Sequence, residues 1–144
     1  MVDLYREASA FRKAIKSSIK CGDITETNLR QFPFGCCGYA SDLLQRYLFE
    51  IGVSTLYYSG QYGYGWTAEN HTWLETSDGI VIDITGDQFE DKVPYFACPV
   101  YVGPRENGFH DQFVLKEPVY YHGNPSVNKK WFEPSYNAIL RHMF

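Results

Sequence analysis

The first 20 residues carry hydrophobic and polar positions with the period of an α-helix. Five hydrophobic residues recur every three or four positions, with Arg and Lys between them: Leu4, Ala8, Phe11, Ile15 and Ile19. This spacing places the apolar side chains on one face of a helix. The pattern therefore predicts an amphipathic helix over about 2–20, which ends at Gly22.

A second helical pattern begins at Cys37 and ends at Gly52. Its apolar residues form two adjacent lines along the helix, one with Ala40, Leu44 and Leu48 and the other with Tyr39, Leu43, Tyr47 and Ile51. A helix with so broad an apolar face is buried over most of its circumference. Residues 21–35 are predicted to form the loop between the two helices.

After Gly52 the hydrophobic pattern is that of β-strands. Runs of β-branched and aromatic residues predict strands at 53–58, 71–75, 80–85, 100–102, 113–115 and 119–121. A Ser-Asp-Gly turn at 77–79 joins the second and third runs in a β-hairpin, and a glycine–aromatic loop is predicted over 60–66. Pro134 is predicted to start a final helix. This order indicates an α+β fold, in which N-terminal helices pack on an antiparallel β-sheet.

Length and composition narrow the class of protein. A chain of 144 residues is long enough for one hydrophobic core, so we expect a single domain over 1–144. Hydrophobic residues make up 44% and charged residues 21%, which is typical of a globular protein and not of a disordered one. The formal net charge of −4 argues against a nucleic-acid partner, because phosphate contacts need a basic surface.

The four cysteines are expected to be reduced thiols. Residues 1–20 carry charges throughout and hold no apolar segment of the kind found in secretory signal peptides. No apolar run approaches the ~20 residues that cross a membrane, so no membrane partner is expected. The expected location is the cytoplasm, or outside the cell by a route that needs no signal peptide. Because there is no C-x-x-C pair and the histidines are scattered, the sequence predicts no metal site and no cofactor.

Aromatic residues are the unusual part of the composition, at 17% of the chain. Besides filling cores, Tyr and Trp line grooves that hold extended substrates. Four of them lie close to His71 in sequence, and we predict that they line a substrate groove: Tyr62, Tyr64, Trp66 and Trp73. The alternative for residues 61–66 is an ordinary surface loop.

The residue at the start of the second helix is a cysteine. The unpaired N–H groups and the helix dipole favour a thiolate at a helix N-terminus, which lowers the pKa of the thiol and activates it as a nucleophile. Cys37 lies at that position, and Gly35 and Gly38 on either side allow a substrate carbonyl to approach the backbone. Cys36 is the alternative nucleophile. The structural alternative is that both cysteines only pack at the helix start.

His71 and Asp83 are the candidate partners of this thiol. His71 opens the predicted hairpin, and Asp83 lies on the return strand at about the same level. A thiolate needs a group that transfers its proton, and an imidazole in that role needs an acceptor that orients it. Asp83 also interrupts a run of Ile and Val, where a carboxylate is costly unless it has a partner. Each residue alone could be structural, but together Cys37, His71 and Asp83 form a candidate catalytic triad.

Other polar residues lie near this set in sequence. His110 is an alternative base, but it lies in a loop flanked by Gly and Pro for which no acceptor strand is predicted. Asp87 and Gln88 follow Asp83 closely and are expected to form a turn or to support the site from behind. The segment 69–91 holds acidic residues but neither Lys nor Arg, which favours a cationic or neutral substrate, although a solvated acidic surface explains the same pattern.

The motifs around these residues resemble those of the papain-like and transglutaminase-like cysteine hydrolase superfamily. The run Cys-Gly-Tyr-Ala-Ser from Cys37 looks like the start of the nucleophile helix in papain-like cysteine peptidases. The runs His-Thr-Trp from His71 and Asp-Ile-Thr from Asp83 are more similar to the transglutaminase-like branch. The motifs over 31–89 look like those of small bacterial proteins of this kind. Papain-like peptidases proper differ, since they have longer chains and use an Asn after a distant His.

The resemblance implies a papain-like or transglutaminase-like core with an acyl-transfer site. Cys37 would attack an amide carbonyl, His71 would accept and then donate the proton, and Asp83 would fix the imidazole tautomer. Gln31 stands where papain-like enzymes place an oxyanion-hole glutamine, so Gln31 and the Cys37 backbone N–H are the expected oxyanion hole. The expected function is thiol-dependent acyl transfer on a protein or peptide amide, as a protease, amidase or glutamine deamidase. A bacterial effector or toxin with an immunity or inhibitor protein as partner is one setting that fits.

Three other functions fit the same residues. A transglutaminase would pass the acyl group to an amine instead of water. A catalytically inactive papain-fold binding module would use the aromatic groove alone. A metal-binding or redox protein would use the adjacent pair Cys36 and Cys37, and would hold zinc or titrate reversibly. The reactivity of the Cys37 thiol separates the enzymes from the binding module, and a metal-free, redox-silent protein would rule out the third class.

Overall fold

The computed structural model describes residues 1–63, 65, 68–89, 98–115 and 130–144, together with the backbone of 119–120. Within these ranges the α-helices are α1 (Leu4–Lys20), α2 (Cys37–Glu50) and α3 (Phe132–Met143). The sequence pattern predicts each of them. Asp3 caps α1 at its start by accepting a hydrogen bond from the Arg6 backbone N–H at 3.1 Å. Gly22 and Gly52 follow the ends of α1 and α2 with φ of 77° and 94°, a left-handed backbone that ends a helix.

The described strands are β1 (Thr55–Tyr62), β2 (Glu69–Thr76), β3 (Ile80–Asp83), β4 (Tyr101–Pro104), β5 (Val114–Leu115) and β6 (Val119–Tyr120). They form one antiparallel sheet in the order β4-β3-β2-β1-β5, and β6 also pairs with β1. The predicted hairpin at 71–85 is confirmed as the β2–β3 pair, with Leu74 opposite Ile82. The helices pack on this sheet, α1 against β3 and α2 against β2, so the α+β class is confirmed.

β1 is longer than the sequence predicts, since it continues from Tyr58 through Tyr62 where a loop was expected. Gly60 lies inside this strand. A Cβ atom added at Gly60 would lie 2.8 Å from Cβ of Phe113, so the glycine lets a neighbouring segment approach the strand closely. Gly60, which suggested a loop in the sequence, is therefore explained by close packing against a strand.

The two faces of the sheet belong to two separate cores. Successive residues of a strand point to opposite faces. Leu74 and Ile82 pack with the helices in the larger core, whereas Trp73 and Val81 pack on the opposite face against three phenylalanines, Phe89, Phe109 and Phe113. His71 and Asp83 share the odd-numbered face with Trp73. The site predicted from the sequence therefore lies against the smaller, aromatic core.

The second core is covered by short 3₁₀ turns at Gly86–Phe89 and His110–Gln112. The buried members of this core are aromatic except for Val81, namely Trp73, Phe89, Phe109 and Phe113. Among the described residues, no helix combines the length and the apolar run that a bilayer span requires.

Candidate active site

Cys37 is the first residue of α2, and its side chain is half-buried. Cys36 occupies the N-cap position but makes no capping hydrogen bond with its side chain. Cys37 lines a cavity of about 450 Å³, together with Phe34, Gly35, Ala68, Glu69, Asn70, Gln88 and Phe89. This volume lies in the range of ligand pockets, about 300–1,000 Å³. The thiol at the helix start thus borders a space large enough for a substrate group.

The His71 side chain and the Thr72 backbone are the groups that lower the pKa of the Cys37 thiol. Burial acts to raise the pKa of the thiol, but the hydrogen bond to His71 and the charge of His71 outweigh burial and hold the pKa of Cys37 below its ordinary value. A lower pKa increases the thiolate fraction near neutral pH, and the thiolate is the nucleophilic form. Cys37 therefore has the electrostatic setting of a reactive cysteine.

Cys36 has the opposite setting. Its side chain is fully buried, and burial, with a further contribution from the charge of Cys37, raises the pKa of the Cys36 thiol to about 12. A thiol with such a pKa stays protonated at neutral pH and is a poor nucleophile. Of the two adjacent cysteines, the pKa values favour Cys37 as the reactive one.

His71 lies between the thiol and a carboxylate. Its Nε2 is 2.6 Å from Oδ2 of Asp83, and both side chains are fully buried. Since Asp83 occupies Nε2, Nδ1 is the ring nitrogen that remains for a proton from Cys37. The structure therefore pairs His71 on β2 with Asp83 at the end of β3, and the charge of His71 acts on the Cys37 thiol at the start of α2.

Asp83 accepts hydrogen bonds from three residues. Its Oδ2 lies 2.6 Å from Nε2 of His71 and 2.6 Å from Nε2 of His110. Its Oδ1 accepts from the Thr85 backbone N–H at 2.9 Å and from the Thr85 hydroxyl at 3.4 Å. These donors use the full acceptor capacity of a carboxylate, which satisfies a charge buried away from water.

His110 was expected to lack an acceptor, and that prediction is wrong, because Asp83 itself is the acceptor. The two residues are 27 apart in sequence, and only the folding of the 3₁₀ turn over the sheet brings them together. The available sequence signal was the adjacent Phe109, whose ring stacks on that of His110 with the centroids 4.3 Å apart. Nδ1 of His110 is buried without a partner among the described residues, so the neutral tautomer with its proton on Nε2 fits this position.

His71 and Asp83 shift each other's pKa toward the charged forms. Burial acts to raise the pKa of Asp83, but the charge of His71 and the hydrogen bonds from both histidines hold that pKa far below its ordinary range. Burial likewise acts to lower the pKa of His71, but the negative charge of Asp83 raises it to about 9. The carboxylate thus makes His71 a stronger base than a free imidazole, which suits a group that accepts a proton from the thiol.

Gln31 does not take the expected place. Its side chain is exposed in the loop before α2, and it is not among the residues that line the cavity at Cys37. Gln88 does line that cavity, and its Nε2 lies 3.3 Å from Nδ1 of His71. Asp87 was expected to support the site from behind, and it pairs with Arg12 of α1 at 2.8 Å.

The predicted aromatic groove is corrected in part. Trp73 is fully buried in the second core, where its Nε1 donates to Glu75 at 2.9 Å, so it cannot line a groove. Tyr62 is the last residue of β1, and its ring packs at 5.7 Å from that of Phe113 instead of lining the cavity. Tyr64 and Trp66 lie outside the described residues. The physical reason for the error is that alternation along β2 sends Trp73 into a core that the sequence pattern does not separate from the surface.

His71, Asp83 and His110 also form a set of side chains whose ligand atoms lie within 4.8 Å of one another, as in metal sites. The sequence predicted no such set. The nitrogen–oxygen distances of 2.6 Å are those of charge-assisted hydrogen bonds. Ligands of one zinc ion, each at about 2.0–2.2 Å from the metal, stand farther apart than this. The geometry therefore fits a hydrogen-bonded network better than a metal centre.

Comparisons of the chain with family models, with curated proteins and with solved structures find no match in any of the three. None of them identifies a papain-like family. The resemblance to papain-like and transglutaminase-like enzymes rests on the motifs alone, and the functional argument rests on the site. What the site offers chemically is a thiol of lowered pKa beside an imidazole that a buried carboxylate orients.

Proposed function

We propose that this protein transfers acyl groups from amides through a thioester on Cys37, with His71 as the proton-transfer group and Asp83 as its orienting carboxylate. One observation carries the proposal. The pKa of the Cys37 thiol is lowered by the His71 imidazole, whose Nε2 lies 2.6 Å from a fully buried carboxylate. Such an arrangement is what nucleophilic catalysis by cysteine needs.

The first half of the reaction forms the thioester. The Cys37 proton passes to Nδ1 of His71, and the thiolate attacks the carbonyl carbon of the amide, so that an S–C bond forms and the carbonyl oxygen becomes an oxyanion. Collapse of this intermediate breaks the C–N bond, and the imidazolium donates its proton to the leaving amine. Asp83 keeps the proton on Nε2 throughout, so that Nδ1 is the position that gains and loses a proton.

The second half releases the acyl group. A water molecule, or an amine in the transglutaminase variant, attacks the thioester while His71 accepts its proton, and the C–S bond breaks. The Cys37 thiolate then leaves and the site returns to its starting state. Water gives a protease, an amidase or a glutamine deamidase, and these are the proposed reactions.

The cavity at Cys37 supports a protein or peptide amide as the substrate class. Its lining combines the apolar rings of Phe34 and Phe89 with the amides of Asn70 and Gln88 and the carboxylate of Glu69. Side-chain amides can hydrogen-bond a peptide backbone, and a carboxylate disfavours an acidic substrate. The context of an effector or toxin, with an immunity or inhibitor protein, belongs to this proposal as its biological setting.

The experiment that tests the proposal is the capture of the thioester. The protein is incubated with libraries of peptides that contain glutamine or C-terminal amides, quenched in acid and analysed by intact-mass spectrometry, while ammonia release and peptide cleavage are measured in parallel. We expect an acyl group on Cys37 and its loss in Cys37→Ala. Cys21→Ala, which alters an exposed cysteine, is the matched control and should behave as wild type.

An acyl group that persists in Cys37→Ala would contradict the proposal. So would peptides that bind the protein with unchanged affinity in Cys37→Ala and are never acylated onto the wild type. The second result is the one that an inactive binding module predicts. Trp73, one of the residues on which that alternative relied, is fully buried.

A further inference from the structure

Gln88 lines the cavity at Cys37 and is followed in the chain by Phe89 of the second core, which also lines it. It lies on the 3₁₀ turn Gly86–Phe89, which follows β3 after the carboxylate residue Asp83. Its Nε2 makes two contacts, one with the Thr85 carbonyl oxygen at 3.0 Å and one with Nδ1 of His71 at 3.3 Å. Nothing in the reaction described so far uses this amide.

The orientation of the Gln88 amide follows from its partners. A carbonyl oxygen only accepts hydrogen bonds, so the amide atom beside the Thr85 carbonyl is the nitrogen and not the oxygen. The Thr85 backbone N–H is in turn bonded to Asp83. The position of the Gln88 amide is therefore tied through one residue to the carboxylate that orients His71.

The second N–H of Gln88 faces Nδ1 of His71, the atom that takes the Cys37 proton in the proposed reaction. Nε2 of His71 donates to Asp83, so a neutral His71 has a single lone pair, on Nδ1. Gln88 can donate to that lone pair only while His71 is neutral. When Nδ1 takes the proton of Cys37 it becomes a donor, and the Gln88 N–H loses its acceptor at the moment the thiolate forms.

From these contacts we infer that Gln88 is a further catalytic residue, which donates its side-chain N–H to the oxyanion formed when the Cys37 thiolate attacks a carbonyl. The inference rests on the proposed acyl transfer at Cys37. Gln88 lines the same cavity as Cys37, whereas Gln31, which the sequence motif suggested for this role, is exposed and does not. The Cys37 backbone N–H at the start of α2 is the second donor.

The test compares two reactions of the same thiol. p-Nitrophenyl acetate acylates Cys37: an S–C bond forms, the carbonyl oxygen becomes an oxyanion, and the C–O bond breaks to release p-nitrophenolate. Iodoacetamide alkylates Cys37 by displacement of iodide, and no oxyanion forms. Both reactions need the thiolate and His71, so a donor to the oxyanion affects the first reaction alone.

In Gln88→Met, which keeps the length of the side chain and removes the N–H groups, we expect the acylation rate of Cys37 to fall about a hundredfold. We expect its alkylation rate to stay within about twofold of wild type over pH 5–9, because the thiolate fraction controls that rate. Gln31→Met is the matched control and should leave both rates unchanged. If Gln88→Met does not fold, Gln88→Glu serves instead, since it keeps the shape and replaces the donor by an acceptor.

Acylation by Gln88→Met at the wild-type rate would overturn the inference, and so would an equal fall in acylation and alkylation, which is the result of a merely structural role. Failure of the proposed function looks different. In that case wild-type Cys37 would be acylated no faster than the exposed Cys21, whatever residue stands at position 88.

Discussion

Asp83 is the buried carboxylate that accepts hydrogen bonds from both histidines of the site. Two imidazole nitrogens lie 2.6 Å from the same oxygen, Oδ2, and Thr85 holds the other oxygen. In the proposed reaction His71 transfers the proton, whereas His110 is not among the residues that line the cavity at Cys37. His110 is therefore best understood as the residue that fixes the carboxylate, so that Asp83 presents Oδ2 to His71 in a constant direction.

The variant His110→Phe tests this role at the scale of a residue. Phe fits among the phenylalanines of the second core but leaves the charge of Asp83 with one donor fewer. We expect a loss of about 1.5–3 kcal/mol in the free energy of unfolding, measured by urea denaturation, and about a tenfold fall in the acylation rate of Cys37. His110→Gln, which can return an N–H to Asp83, should recover part of both.

His142→Gln is the control for His110→Phe. His142 also contacts a carboxylate, Asp23, at 2.7 Å, but this pair lies near the surface. Surface ion pairs contribute little to stability, so the free energy of unfolding should change by less than about 0.5 kcal/mol. The acylation rate of Cys37 should equal that of wild type. Equal effects of His110→Phe and His110→Gln would show that packing, and not the N–H, matters at position 110.

At the residue scale, the sequence identifies those candidate site residues that stand out from the pattern of their immediate neighbours. Cys37 stands at a helix start, and Asp83 stands in a run of Ile and Val that calls for a partner, so both could be named in advance. His110 and Gln88 could be named as candidates, but their contacts could not be predicted, because those depend on how two 3₁₀ turns fold over the sheet. The residues that they contact in the fold are distant in sequence. The spacing of hydrophobic residues predicts local structure and not such long-range contacts.

At the scale of elements, α1 holds the turn that carries Gln88. The guanidinium of Arg12 donates to both carboxylate oxygens of Asp87, at 3.0 and 2.8 Å, and to the Ile84 carbonyl oxygen at 2.6 Å. Its Nη1 also lies 3.2 Å from the Pro99 carbonyl oxygen. One buried side chain of α1 thus fixes the segment from the end of β3 to the 3₁₀ turn.

The variant Arg12→Met tests the link between α1 and this turn. It keeps the apolar stem but leaves Asp87 and two carbonyl oxygens without their donor. Breaking a buried pair costs about 3–5 kcal/mol, and because the Asp87 side chain is 19% exposed we expect about 2–3 kcal/mol, measured by urea denaturation. Lys13→Met, at the next and exposed position of α1, should change the free energy of unfolding by less than about 0.5 kcal/mol. Equal stabilities of the two variants would contradict the account of this contact.

The order and type of the elements were predictable, and their ends were less so. The apolar lines of α1 and α2 are regular over several turns and lead to the correct helices. β1 was predicted too short because Gly60 resembles a loop residue in sequence, although in the fold it makes room for Phe113. A glycine in a sequence can mark either a turn or a position where another segment packs closely against the backbone. Only the position of the neighbouring segment in the fold distinguishes the two.

At the scale of the whole molecule, the sheet separates two cores of different composition. The helical face holds aliphatic side chains from all three helices, and the opposite face holds the aromatic cluster with His71, Asp83 and His110 buried against it. The high aromatic content predicted a substrate groove, but most of the described aromatic residues are divided between the two cores. Composition alone cannot distinguish these uses, since an aromatic residue counts equally whether it fills a core or lines a groove.

A charged group in that core makes stability depend on pH in the acidic range. The folded state holds the pKa of Asp83 below the value of about 3.9 that an unfolded chain has. The contribution of Asp83 is therefore complete above about pH 5 and is lost as the pH falls, because the unfolded chain binds the proton first. We expect the free energy of unfolding to decrease by up to about 1.4 kcal/mol per pH unit below about pH 4 from this residue alone.

Urea denaturation between pH 2 and pH 7 measures this effect. The pH slope of Asp83→Asn should be smaller than that of wild type by the contribution of one carboxylate. Glu106→Gln, at an exposed position of the turn after β4, should keep the wild-type slope. An Asp83→Asn slope equal to that of wild type would contradict a buried, ionised Asp83.

The rate at which iodoacetamide labels each cysteine at pH 6 tests the central claim most directly, with each site quantified by peptide mass spectrometry. Because His71 lowers the pKa of the Cys37 thiol, we predict that Cys37 is labelled at least about tenfold faster than Cys21 or Cys98, and that His71→Gln removes this difference. Cys36, whose pKa is raised to about 12, should not react. Equally slow labelling of all four thiols, or fast labelling of Cys37 that survives His71→Gln, would contradict the account.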